Sequence, residues 1–192
     1  MNRPIISILI FAIVILLCCG CARAPLDPQI PYGLLIKGRD FLTFCIFLAD
    51  QEKPFYNHIA QRYYYAMLSI SSITYQWHKG HGEVFKKVKH EEVWKLMPHD
   101  VKNYGESLRE LRRRCDYRYE DDACDLEGFK KDLSNIVVEK DKMFPQLANK
   151  VRSDYHKFFG GNVVDETIKV ADCDAIWDEI EQLHKNLTSR LS

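Results

Sequence analysis

The chain has 192 residues and a mass of 22.5 kDa, enough for one domain with a real core plus a leader or tail, and too little for a second full domain. Lysine plus arginine equals aspartate plus glutamate at 27 each. There is no global basic field of the kind that drives non-specific nucleic-acid binding, so any polyanion site must be local.

The chain opens with Arg3, an apolar run from Ile5 to Cys19, and then Gly20, Cys21 and Ala22. A cation, an apolar segment and small residues make the three-part layout of a secretion signal. Two exits compete in it. Ala22-Arg23-Ala24 fits a signal-peptidase site but leaves Pro25 directly after the cut, whereas Gly20-Cys21 fits a bacterial lipobox with lipidation on Cys21. The departure from a lipobox is Cys18, where leucine is more usual. An uncleaved anchor helix is the alternative, although the run is short of the roughly 20 residues that span a bilayer. The expected location is therefore the bacterial cell envelope, attached to the membrane through the N-terminus. An inner-membrane anchor with a cytoplasmic domain is the second reading.

Residues 24 to 38 contain Pro25, Pro28 and Pro31 with two glycines and read as an extended tether. The expected division is 1–21 leader, 22–38 tether and 39–192 helical bundle, the last split into a core at 39–120 and C-terminal helices at 125–192.

From Arg39 onward the spacing is helical. Phe41, Cys45 and Leu48 make a short apolar face that stops near Pro54. Ile59, Tyr63, Ala66, Ile70, Ile73 and Trp77 recur at alternating steps of four and three, one buried stripe of an α-helix. The glycines of HKGHG break it. Val84 to Met97 can form a shorter helix closed by Pro98.

Val101, Tyr104, Leu108, Leu111 and Cys115 repeat the rhythm and put the segment LRRRCDY, residues 111 to 117, on the last turns of another helix. Leu126, Phe129, Leu133 and Ile136 begin a further helix that Phe144, Leu147, Val151, Tyr155 and Phe158 continue. Pro145 is expected to kink or interrupt it near the middle and Gly160-Gly161 to end it. A last helix, with Asp174 as its expected cap, runs through Ile176, Ile180, Leu183, Leu187 and Leu191. The only strand candidate is NVVDETIKV at 162 to 170. These elements predict an all-α antiparallel helical bundle.

Four cysteines follow Cys21, and an oxidising compartment would allow them three pairings. Cys115 and Cys124 bracket the acidic loop DYRYEDDA and are the pair singled out for a disulfide. The other reading is that they are reduced core residues.

Two segments go beyond a generic bundle: Gln61-Arg62-Tyr63-Tyr64-Tyr65-Ala66-Met67, and Leu111-Arg112-Arg113-Arg114-Cys115-Asp116-Tyr117. In that order and at that separation they resemble the HEPN superfamily, in its subgroup with an R-x-Y-Y-A helix, a following histidine and a later L-R-x-x-A-D-Y segment. The matching positions are Arg62, Tyr64, Tyr65, Ala66, His81, Leu111, Arg112, Asp116 and Tyr117, with departures at Gln61 and Cys115. The resemblance implies a HEPN-like bundle and a ligand-binding set of Arg62, Tyr64, His81, Arg112, Asp116 and Tyr117. It also implies homodimerisation.

Many members of that superfamily are metal-independent ribonucleases. In them an arginine and a histidine four to six residues later supply charge stabilisation and proton transfer. Here residues 116 to 120 hold no histidine. Asp116 stands near where the catalytic histidine would be expected, and a carboxylate there is a poor proton donor at neutral pH and repels phosphate. The expectation is thus a non-catalytic domain that binds a protein or nucleotide-type partner through the Arg62 and Arg112 region. RNA or a nucleotide is reachable only if the domain faces the cytoplasm. An envelope lipoprotein with a structural or interaction role is the alternative, and a degenerate ribonuclease comes third.

Arg113 and Arg114 are explained by the favourable interaction of cations with a helix C-terminus. Tyr63, Tyr64 and Tyr65 point about 100° apart and cannot form one stacking platform. His78, His81 and His90 fix no tetrahedral geometry, and His90-Glu91-Glu92-Val93-Trp94 places tryptophan where a zincin needs its second histidine, so neither metal nor cofactor is expected.

Overall fold

A computed structural model describes residues 27–79, 89–117, 126–139, 142–160 and 167–192. The described residues form a helical bundle with no strand: α1 (Gln29–Ala49), α2 (Tyr56–Lys79), α3 (His90–Lys95), α4 (His99–Tyr117), α5 (Leu126–Ser134), a π-helical turn (Asn135–Glu139), α6 (Met143–Phe159) and α7 (Val170–Leu191). No described helix is long and apolar enough to cross a membrane. The leader, with Cys21, lies outside the described residues.

The expected tether is corrected from Gln29 onward, while residues 22–26 lie outside the described residues. Helix α1 begins at Gln29, ten residues before the predicted start, and buries Pro31, Leu34, Leu35 and Gly38. The prolines do not prevent this, because Pro28 is the cap and Pro31 stands in the first turn, whose N–H groups have no intrahelical partner. The Asp27 carboxylate accepts the N–H of Gln29 at 2.9 Å and satisfies one of those donors. Cys45 and Leu48 are buried as their spacing predicts, while Phe41 sits half-buried at the edge of the face.

Helix α2 is the centre of the molecule and packs on α1, α3, α4, α5 and α6. Ile59, Tyr63, Ala66, Ile70 and Ile73 are all fully buried, as the stripe requires. The surrounding helices also enclose its other faces, so Ser69, Ser71, Ser72, Thr74 and Gln76 are buried too. Ser72 turns its hydroxyl back to the Leu68 carbonyl at 2.7 Å, which satisfies it without a partner helix.

Two glycines set how closely the helices meet. A Cβ on Gly38 would lie 2.6 Å from the Ile70 side chain, so the missing side chain lets α1 cross tightly over α2. A Cβ on Gly105 would lie 2.2 Å from the Trp94 ring, which rests directly on the α4 backbone.

Helix α4 buries Val101, Tyr104, Leu108, Leu111 and Cys115, and LRRRCDY occupies its last turns as expected. In the C-terminal third, the described part of the predicted stretch from Leu126 to Phe158 forms two helical segments, 126–139 and Met143–Phe159, in line with the expected kink or interruption. Residues 140–141 lie outside the described residues, and Pro145 falls in the first turn of α6, where it interrupts no hydrogen bond. Gly160 closes α6 by donating its N–H to the His156 carbonyl at 3.0 Å, with ordinary right-handed backbone.

Asp174 is not the cap of α7. The helix starts four residues earlier, and Asp172 accepts the Lys169 N–H at 2.7 Å instead. Asp174 joins α7 to α6 by accepting from the Tyr155 hydroxyl and by pairing with Arg152 at 3.4 Å and His156 at 3.2 Å. Of the strand candidate, 162–166 lie outside the described residues and Val170 opens α7.

Candidate functional site

The helical geometry of α2 sends Gln61, Tyr64 and Tyr65 to one side and Arg62 one step around, toward α1. The last turns of α4 come up against that side. Asp116 there accepts Gln61 Nε2 at 2.7 Å with one carboxylate oxygen and pairs with Arg112, one turn back, through the other. Held by this pair, the Arg112 guanidinium lies 5.9 Å from the Tyr64 ring and 5.4 Å from the Tyr65 ring, cation–π contacts on both.

His90, the first residue of α3, completes the cluster. Its Nδ1 shares a hydrogen bond of 2.9 Å with the Tyr64 hydroxyl, and its ring meets Tyr65 edge-on. Burial lowers the His90 pKa, and the Arg112 and Arg109 charges lower it further, so the imidazole is neutral at neutral pH. Burial raises the Tyr64 phenol pKa against the opposing pull of Trp94 and of the same two arginines.

Arg62 has different surroundings. Its guanidinium lies over Phe41 at 5.9 Å and over Phe44 at 5.6 Å, both on α1. Among the described residues no carboxylate pairs with it. Lys37 also lies against the Phe41 ring at 5.9 Å. Together with Gly33, Ile36 and Asp40 these residues border an open groove of 420 Å³ along α1. Phe41 also contacts Tyr65 at 5.9 Å, so the Arg62 groove and the Arg112 cluster are neighbours joined by two aromatic rings. A smaller recess of 160 Å³ on the same side is lined by Lys37, Tyr65, Ser69, Ser72 and His90.

Of the site residues read from the sequence, Tyr64, Arg112 and Asp116 meet in one cluster and Arg62 borders it. Tyr64 is fully buried, so it supports the Arg112 side chain and offers no open face to a ligand. Tyr117 is the last residue of α4, its side chain outside the description, and His81 lies outside the described residues. Cys115 is buried at the end of α4, while Cys124, its proposed disulfide partner, lies outside. Among the described residues no three His, Cys, Asp or Glu side chains are grouped to hold a metal.

Sequence reasoning misses Phe41, Phe44 and Lys37 as site residues because the segment reads as the end of a tether and the start of a core helix. The signal was present in the spacing, since Lys37, Phe41 and Phe44 fall at steps of four and three, beside the stripe that packs inward. Gln61 was noted only as a departure from the family pattern, yet it is the residue that ties α2 to Asp116.

Fold and site together define an all-α bundle with a cation-and-aromatic groove on one flank. No family model, curated protein or solved structure matches the chain.

Proposed function

We propose that this protein is a membrane-anchored, non-catalytic, HEPN-like helical domain that binds a protein or nucleotide-type partner through the Arg62 and Arg112 region. The observation that carries the reading is Arg62: a guanidinium stacked over two rings of a neighbouring helix, beside an open groove and with no carboxylate of the described residues to neutralise it. A charge arranged that way is preorganised for an anionic group, because its geometry is held by ring contacts and its charge is left for a ligand.

The two arginines divide the work. Arg112 is compensated by Asp116 and stiffens the wall shared by α2 and α4, whereas Arg62 faces the ligand. Phosphodiester cleavage is not part of the reading. The arginine of the matching segment is neutralised by Asp116, no histidine stands at the required spacing after it, and the neutral His90 has its Nδ1 engaged by Tyr64.

The test is photocrosslinking in cells from a benzophenone amino acid at Phe47, an exposed position one turn beyond Phe44. A discrete adduct is expected, lost on Arg62→Glu and kept on Arg113→Ala. No adduct, or one indifferent to Arg62→Glu, would sink the reading. RNA cleavage by the purified protein that disappears on Arg112→Ala would replace it with the nuclease reading.

A further inference from the structure

The large apolar side chains that are exposed among the described residues are Phe44, Phe47 and Phe55 at 42%, 57% and 50%, and all lie between the last turns of α1 and the start of α2. They are not scattered as incidental surface apolar residues are. Phe44 and Phe47 stack on each other with ring centres 5.9 Å apart. With Lys37 and Phe41 they form one ridge at steps of four, three and three, running about 15 Å along α1, or nearly three helical turns. The groove of 420 Å³ bordered by Arg62 lies beside this ridge. At its far end Gly33 has nothing within 4 Å of where a Cβ would be, so another backbone can approach closely.

The charges are as one-sided as the shape. Neither Lys37 nor Arg62 is paired with a carboxylate of the described residues, and each lies against the Phe41 ring. The acid on the groove wall, Asp40, is held by Arg39 at 2.9 Å. An apolar strip of Phe41, Phe44 and Phe47 about 9 Å long, continued by Lys37 and with the uncompensated Arg62 beside it, matches a helix with an apolar stripe and acidic flanks. A compact anion would meet Arg62 with Phe41 and Phe44 and leave the exposed Phe47 ring uncovered. A second copy of this face would bring no carboxylate except Asp40, already engaged.

We infer that the α1 groove receives an acidic amphipathic helix of a partner protein, its apolar stripe on Phe41, Phe44 and Phe47 and its carboxylates on Lys37 and Arg62. This rests on the proposed binding role of the Arg62 region and names the partner class for it.

The experiment is selection, on the full-length protein, from a display library of amphipathic helices of about 14 residues with a fixed leucine stripe and randomised flanks. The expected flanks are rich in Glu and Asp. The selected peptide should bind the Lys37→Glu/Arg62→Glu variant at least about tenfold more weakly, and its lysine-for-glutamate copy should recover binding to that variant. Phe47→Ser, at an exposed position that no core contact needs, should weaken both. Basic or neutral flanks, or binding blind to the charge reversal, overturn the inference. If no peptide is selected while the Phe47 crosslink persists and depends on Arg62, the acidic helix is wrong and the broader binding role stands; if the crosslink fails as well, both fall.

Discussion

Asp116 has each carboxylate oxygen on a different partner, Gln61 of α2 and Arg112 of its own helix, and all three side chains are partly shielded from water. Hydrogen bonds to a charged group in such surroundings contribute about 1.5–3 kcal/mol, so Asp116→Ala should lower unfolding stability by about 2 kcal/mol in urea titration. Glu110→Ala, which removes the exposed partner of Arg113 at 3.5 Å, should change it by less than about 0.5 kcal/mol. The segment LRRRCDY stands out in the sequence, but the role of its aspartate does not. The residue that looked like a failed catalytic histidine is a latch, and only the approach of α4 to Gln61 makes it one.

His184 on α7 is a second residue whose surroundings decide its chemistry. Its Nε2 shares a hydrogen bond of 2.8 Å with the Tyr63 hydroxyl, and its ring stacks on Phe144 with centroids 3.9 Å apart. Burial lowers its pKa from 6.5 to about 4, so the folded protein holds it neutral. Between those values the unfolded chain binds the extra proton. This contribution to stability is therefore complete above pH 6.5 and is lost as the pH falls toward 4, by an amount on the order of 3 kcal/mol. Urea midpoints measured from pH 7 to pH 4 should fall, and His184→Gln, which keeps a hydrogen-bonding group but does not titrate, should flatten the descent.

At the scale of elements, the α3–α4 corner depends on an absent side chain. Gly105 lets the Trp94 ring lie on the α4 backbone, and the ring is rigid, so an added methyl group cannot be accommodated by a rotamer change alone. Alanine would gain about 1 kcal/mol of helix propensity at this position, yet overpacking a filled core costs about 1–3 kcal/mol and displacing an indole more. Gly105→Ala should thus be destabilised by about 2 kcal/mol net, with tryptophan emission shifted to the red as Trp94 leaves the core. Gly33→Ala, which meets open space, should be neutral or stabilised. The buried stripes of α2, α4 and α7 were legible because one periodic face is enough to identify a helix. Proline positions misled at the start of the bundle. A proline reads as a break only if it falls inside a helix, and the sequence does not say where the first turn begins.

For the molecule as a whole, the balance of 27 cationic and 27 anionic side chains leaves recognition to local patches, of which the α1 flank is the clearest among the described residues. What the N-terminal segment does bears on what that flank can meet. If Cys21 is lipidated, radiolabelled palmitate should enter the wild-type chain, and Cys21→Ser should abolish labelling and release the protein from the membrane fraction. Lipid-free protein with its domain protected from external protease would instead favour the inner-membrane anchor, and bring nucleotide partners into reach.

By itself the sequence determined the class of the fold, the faces of its main helices and the two segments that meet around Arg112. These follow from local rules, since apolar spacing selects the helix and burial of one stripe selects the bundle. Only the tertiary structure decided that the proline-rich approach is helix, that Asp116 is a tie between helices, and that Phe41 and Phe44 carry Arg62 at the edge of a groove. Each of these depends on which helix lies beside which, and residues tens of positions apart are brought together by packing that no local pattern encodes.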